Sequence, residues 1–139
     1  MDPQLTVAKK IKEDYTEFRE AARRWSGIYH TFQFGAALLS AVAALMLKLD
    51  GVGSLQTRNN WGAALAAASA IFITMLTTGR FKDKWEANRV AAFAVRDLGY
   101  EIETTGANPD KILTDLRQIG LTRNNAIVGL PTQIIKSKP

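Results

Sequence analysis

Residues 28–47, IYHTFQFGAALLSAVAALML, and residues 61–78, WGAALAAASAIFITMLTT, carry no charged side chain. A helix rises about 1.5 Å per residue and the hydrocarbon layer of a bilayer is about 30 Å thick, so about 20 residues cross it and slightly shorter stretches are tolerated. At 20 and 18 residues, both stretches predict transmembrane helices. The polar residues between them, Lys48 to Asn60, include Gly51, Gly53, Ser54 and Asp50, the residue types that turn a chain back on itself. The fold class predicted is all-α: a two-transmembrane helical hairpin with long cytoplasmic helical extensions and a short C-terminal helix.

Composition bounds what else fits. A chain of 139 residues is one module, and a membrane hairpin leaves no room for a separate enzyme domain. The mean hydropathy of -0.07 averages two charge-free windows with flanks that hold all 31 charged residues (18 basic and 13 acidic), so the windows are judged by themselves. The net charge of +5 brackets the apolar windows and forms no single stripe, which favours anionic lipid headgroups over nucleic acid as the counter-charge. With no cysteine, disulfides, thiolate catalysis and Cys-based zinc sites are excluded, and one histidine argues against a His metal cluster. The first 27 residues alternate charged with apolar residues, so no signal peptide is expected.

From Ala8, apolar and aromatic residues recur at Ile11, Tyr15, Phe18, Ala22, Trp25, Tyr29 and Phe32, in steps of three and four. This heptad-like stripe predicts a helix over residues 1–27 that runs on into the first span. Beyond Thr78, the stripe Phe81, Trp85, Ala92, Val95 and Ile102 predicts that the second helix continues unbroken to about residue 104. Asn108 and Pro109 suit the cap and first position of a further short helix ending near Gly120, in a segment 105–139 with a partly mobile tail.

Orientation follows the basic residues beside the windows. Lys12, Arg19, Arg23 and Arg24 precede the first, Arg80, Lys82, Lys84, Arg89 and Arg96 follow the second, and the linker has Lys48 and Arg58. Both termini are therefore expected in the cytoplasm, with the linker 48–60 outside a bacterial inner membrane. The cytoplasmic extensions are expected to pack antiparallel through Tyr15, Phe18, Trp25, Phe81 and Trp85.

Small residues crowd the second window, and Gly62, Ala66 and Ala70 have the small-xxx-small spacing that lets helix backbones approach closely in lipid. With Ser69 they are the candidates for helix packing or for a homo-oligomer. The bland alternative is that they pack the hairpin against itself. Polar residues at membrane depth face protein or water, which makes Gln33, Ser40 and His30 candidates for pore lining or for an interhelical hydrogen bond. Arg23, Arg24, Arg80, Arg89 and Arg96 are candidates for binding an anionic trigger, with lipid contact or ion pairing as the alternative. Glycine-rich phosphate loops, nucleophile elbows and metal-ligand spacings are missing from the sequence, so no enzyme, cofactor or metal site is expected.

The helix Tyr15-x-x-Phe18-x-x-Ala21-Ala-Arg-Arg-Trp25, the tight hairpin, and the segment Arg80-Phe-Lys-Asp-Lys-Trp85-Glu-Ala-Asn-Arg89-Val-Ala-Ala-Phe together resemble the SLATT group over about residues 10 to 104. Trp85, Asn88, Arg89 and Leu98 to Glu101 carry most of the likeness. Members of that group are small bacterial proteins with two transmembrane helices and a following cytoplasmic helix. They are inferred to be pore-forming or membrane-disrupting effectors of anti-phage and conflict systems, fired by a neighbouring sensor. The resemblance implies the same role here. With no sensor domain recognisable in this chain, the trigger is expected to be a separate sensor protein or a nucleotide second messenger. Two other readings stay open from the residues themselves: a non-conducting membrane scaffold that recruits a cytoplasmic partner, and a soluble helical bundle.

Overall fold

The structure is a computed structural model that describes residues 3–49, 54–105 and 108–130. Among the described residues it is all-α, with four helices and no strand: α1 Pro3–Lys48, α2 Leu55–Gly79, α3 Phe81–Thr105 and α4 Pro109–Val128. The linker residues 50–53, the break at 106–107 and the tail 131–139 lie outside the described residues. The chain divides into two compact units, one formed by Ser26–Phe81 and the other by Met1–Trp25 with Lys82–Pro139.

In the first unit, α2 opens at Ser54, whose hydroxyl accepts from the Thr57 backbone N–H at 3.3 Å and so satisfies a donor the helix leaves free. Residues 55–60, read from sequence as linker, therefore belong to the helix. The Arg58 guanidinium reaches across the turn to donate to the carbonyl of Leu49. Helix-forming Leu55, Gln56 and Arg58 outweigh the loop-like Asn59-Asn60 once the serine cap has set the first turn.

The expected continuous helix from residue 61 to 104 is interrupted. Helix α2 ends where Arg80 takes the left-handed conformation (φ 48°, ψ 38°), and α3 starts at Phe81. Gly79 permits this corner, because a Cβ there would stand 2.5 Å from Cζ of the Phe81 ring. That ring instead stacks on Phe32 of α1, with centroids 5.9 Å apart. Side-chain packing by one phenylalanine thus overrides a helical pattern that contains no proline.

The second unit packs the first part of α1 against α3 and α4. Its core is Val7, Ile11 and Phe18 from α1, Ala91, Ala92, Val95 and Leu98 from α3, and Ile112 and Leu116 from α4. Alanines on α3 let α1 lie close, and Gly99 does the same opposite Ile11. Asn108 caps α4, its side chain accepting from Asp110 N–H at 2.9 Å, and Pro109 occupies the first turn, as the sequence predicts. The helix does not stop near Gly120 but runs to Val128 and closes on Gly129 (φ 83°), whose N–H bonds the Asn125 carbonyl at 2.9 Å. A mid-helix glycine costs about 1 kcal/mol relative to alanine; contacts further along α4 hold the helix through it.

The strongest of those contacts centres on Asn88, which is fully buried at 0% exposure. Its Nδ2 donates to the Lys84 carbonyl at 2.6 Å, and its Oδ1 accepts from Arg123 Nε at 2.8 Å. The same guanidinium lies over the Phe18 ring at 4.5 Å and stands 3.8 Å from the Glu17 carboxylate. One arginine of α4 therefore ties α1 and α3 together. At the other end of α4, Lys111 donates to Glu101 at 2.7 Å, and this bond holds the Lys111 pKa above its ordinary value. That pair is solvent-exposed, so it adds far less than the buried one.

Because Asn88→Ala strands the Arg123 donor in a partly buried site, it is expected to destabilise the chain by roughly 1–3 kcal/mol. A double-mutant cycle with Arg123→Gln, read by thermal melting of helical circular dichroism in detergent, should show strong non-additivity; additive losses would mean that the pair does not interact.

Candidate membrane-facing and self-association surface

Two helices hold windows long and apolar enough to cross a membrane, with mean hydropathy 1.5 in α1 and 1.6 in α2, and only 11% of either window is buried within the chain. Phe34 is 70% exposed and Leu38 66%, with Leu45, Ile71, Ile73 and Met75 also uncovered. Three threonines near the end of α2 turn their hydroxyls onto the helix itself: Thr74 to the Ala70 carbonyl (2.9 Å), Thr77 to Ile73 and Thr74 (3.2 and 3.0 Å), and Thr78 to Thr74 (2.7 Å). Polar side chains satisfied in this way can face hydrocarbon without a stranded donor.

The hairpin closes through small residues. The buried Ser69 hydroxyl donates to the Ala36 carbonyl at 2.8 Å, so the two backbones approach closely at that level. One end of the seam is Gly62, buried against Leu47 and the Ala43 carbonyl; a Cβ there would meet Leu47 Cδ2 at 3.0 Å. Toward the other end, Gly35 makes room for Phe72, whose Cε2 would stand 2.9 Å from an added Cβ. Phe72 meets Phe32 edge-on at 5.1 Å.

These contacts fix which way each helix faces. At about 100° per residue on two antiparallel helices, the exposed residues sort onto two edges of the hairpin. Gln33 and Ser40 of α1 share the edge marked by Ala36 and Ser69 with Ala66, Ala70, Ile73 and Thr77 of α2. Phe34, Leu38 and Leu45 share the edge marked by Gly35 and Phe72 with Ala64, Ile71 and Met75. The first edge is mostly small and polar, with Leu47, Leu55 and Ile73 as its bulky exceptions, and the other is bulky and apolar apart from Ala64.

The small set expected as one patch is therefore divided. Gly62 and Ser69 pack the hairpin internally, while Ala66 and Ala70 stay exposed on its small edge. Gln33 and Ser40 lie on that same edge. His30 is turned to the side of α1 opposite α2, against Phe34 at 6.0 Å and Tyr29 at 5.3 Å. Of the aromatic residues expected to join the extensions, Phe18 is in the three-helix core and Tyr15 packs on it. Trp25 is half-buried under Lys84 Nζ (4.7 Å), Trp85 is half-buried, and Phe81 belongs to the hairpin unit instead. The core there is mainly aliphatic because the close approach of α1 and α3 leaves space for alanine and valine, not for facing rings.

The arginines separate likewise. Arg23 and Arg24 are exposed on α1 and Arg80 holds the corner. Arg89 lies over Trp85 (5.9 Å) and Phe93 (5.8 Å), and Arg96 over Phe93 (5.0 Å). Sequence reasoning missed Arg123 and Gly35. Arg123 had a signal, since it falls on the stripe Ile112, Leu116, Ile119 at a core position. Comparisons with protein-family models, curated proteins and solved structures find no match.

Adding bulk at the seam should open it. Gly35→Val is expected to cost about 1–3 kcal/mol by overpacking, and Phe72→Leu in the same chain should recover most of the loss; thermal melting in detergent reads both, and no recovery would mean that Phe72 is not what Gly35 accommodates.

Proposed function

We propose that the chain is an oligomeric membrane effector, pore-forming or membrane-disrupting, of a bacterial anti-phage defence system. It lies in the inner membrane with both termini cytoplasmic and is set off by a separate sensor protein or a nucleotide signal. The observation that carries this reading is the two-edged hairpin. Phe34, Leu38, Leu45, Ile71 and Met75 supply the surface that acyl chains cover, while Gln33, Ser40, Ala66, Ala70 and Thr77 form an edge poor in lipid-facing bulk. Helices in lipid associate through such edges, because small residues allow close packing and polar groups find partners across the contact.

A ring of hairpins joined at that edge turns Gln33 and Ser40 toward one another or toward a water-filled lumen. No charged residue interrupts either window, which fits a passive breach and not coupled ion transport. A soluble bundle needs cover for the exposed side chains of both windows, and only 11% of either window is buried within the chain. The defence role and the bacterial membrane rest on the resemblance of residues 10 to 104 to the SLATT group and on the basic residues flanking the windows.

Purified chain in planar bilayers is expected to conduct, and its induction in bacteria should depolarise the inner membrane. Ala66→Leu with Ala70→Leu should lower conductance at least tenfold, whereas Ala64→Leu on the bulky edge should leave it within twofold. Stable insertion without conductance would favour the non-conducting scaffold, and recovery in the cytosol without detergent would end the membrane reading.

A further inference from the structure

The three-helix unit has a cleft between α1 and α3 that its core does not fill, with a volume of about 400 Å³. This lies within the roughly 300–1,000 Å³ typical of small-molecule sites. Its floor is apolar, made by Ile11 and by Gly99, where an added Cβ would touch Ile11 Cγ2 at 3.5 Å. Tyr15 and Tyr100 stand on either side, one from each helix. Lys12 and Arg96 bring positive charge to the lining, and Glu103 is its carboxylate.

Several cations of the unit already have a carboxylate partner. Lys9, Lys10, Lys82, Lys111 and Arg123 each have a carboxylate of another turn or helix within 4 Å. Lys12 has no carboxylate within that distance among the described residues, and Arg96 has only its chain neighbour Asp97 at 3.5 Å. The Arg96 guanidinium lies over the Phe93 ring at 5.0 Å, and that of Arg19 over the Tyr15 ring at 5.9 Å. Guanidinium and ammonium groups so placed are matched to a phosphate, the first by paired hydrogen bonds and the second as a point charge.

We propose that this cleft binds a small phosphomonoester carrying a planar ring, with the chemistry of a nucleoside monophosphate. The ring enters between Tyr15 and Tyr100 over the Ile11 and Gly99 floor, its phosphate meets Lys12 and Arg96, and Glu103 accepts from an amino or hydroxyl group of the ligand. The proposal rests on the reading above that a small anion triggers the chain, and it names the place and class of that anion. Binding is measured without a bilayer, so it fails or succeeds separately from conductance.

The test is calorimetric titration of the full chain in uncharged detergent micelles with AMP, adenosine, inorganic phosphate and dihexanoyl phosphatidylglycerol. AMP is expected to bind saturably at one per chain, with each of the other three at least tenfold weaker. Arg96→Gln and Lys12→Gln should each weaken AMP at least tenfold and shrink its advantage over adenosine. Tyr100→Ala, at a residue that is 58% exposed and outside the core, should weaken AMP while leaving phosphate unchanged. No saturable AMP binding, equal binding of the lipid headgroup or of inorganic phosphate, or AMP affinity unmoved by Arg96→Gln would each overturn the proposal.

Discussion

The distance between the backbones of α1 and α2 is the constraint on which the hairpin depends. Ser69 reaching the Ala36 carbonyl, Gly62 against Leu47, and Gly35 beneath Phe72 fix that distance at three levels. Ser69, Gly62 and Gly35 contribute little apolar area; they act by what they leave out. With these residues in the seam, the helical repeat decides the edge on which each exposed side chain emerges. The surface character of the hairpin is in this sense a by-product of how tightly its two helices close.

The three-helix unit obeys a different rule. There, aliphatic side chains fill the space, and a polar group, Asn88, survives at zero exposure because both ends of its amide are used. Arg123 is the costlier partner, since its charge has to be kept partly solvated while Nε is committed to Asn88. The Phe18 ring and the Glu17 carboxylate share that task from α1. A polar network distributed over three helices specifies their register more sharply than Ile112 and Leu116 alone, because sliding an aliphatic contact by a turn costs less than stranding a guanidinium.

Much of this was legible in the sequence, and what was not has identifiable causes. The two charge-free windows gave the long helices, and Asn108 with Pro109 gave the start of α4, because both signals are local. The corner at Arg80 was invisible, since it depends on the Phe81 ring reaching Phe32, 49 positions earlier in the chain. Gly120 misled for the opposite reason: a local breaker was overruled by Arg123 bonding to another helix. The small residues of α2 were recognised as packing residues, but the one-dimensional pattern did not say that Gly62 and Ser69 would be spent inside the hairpin while Ala66 and Ala70 stayed outside. That division needs the facing direction of α2, which only the contacts with Ala36 and Leu47 supply.

The threonines at the end of α2 have a consequence for how the carbonyls of that end are used. The Thr74 carbonyl accepts from the hydroxyls of both Thr77 and Thr78, and the helical pattern directs the Thr78 amide to the same oxygen. Two lone pairs are thus contested by three donors, and Thr77 has a second acceptor in Ile73 to fall back on. Each donor competes with the others for that oxygen, in the rung of the ladder just before Gly79 and Arg80. Such over-subscription crowds one oxygen at the last turn without unpairing any group, so the polar atoms of three threonines are accounted for within α2 itself.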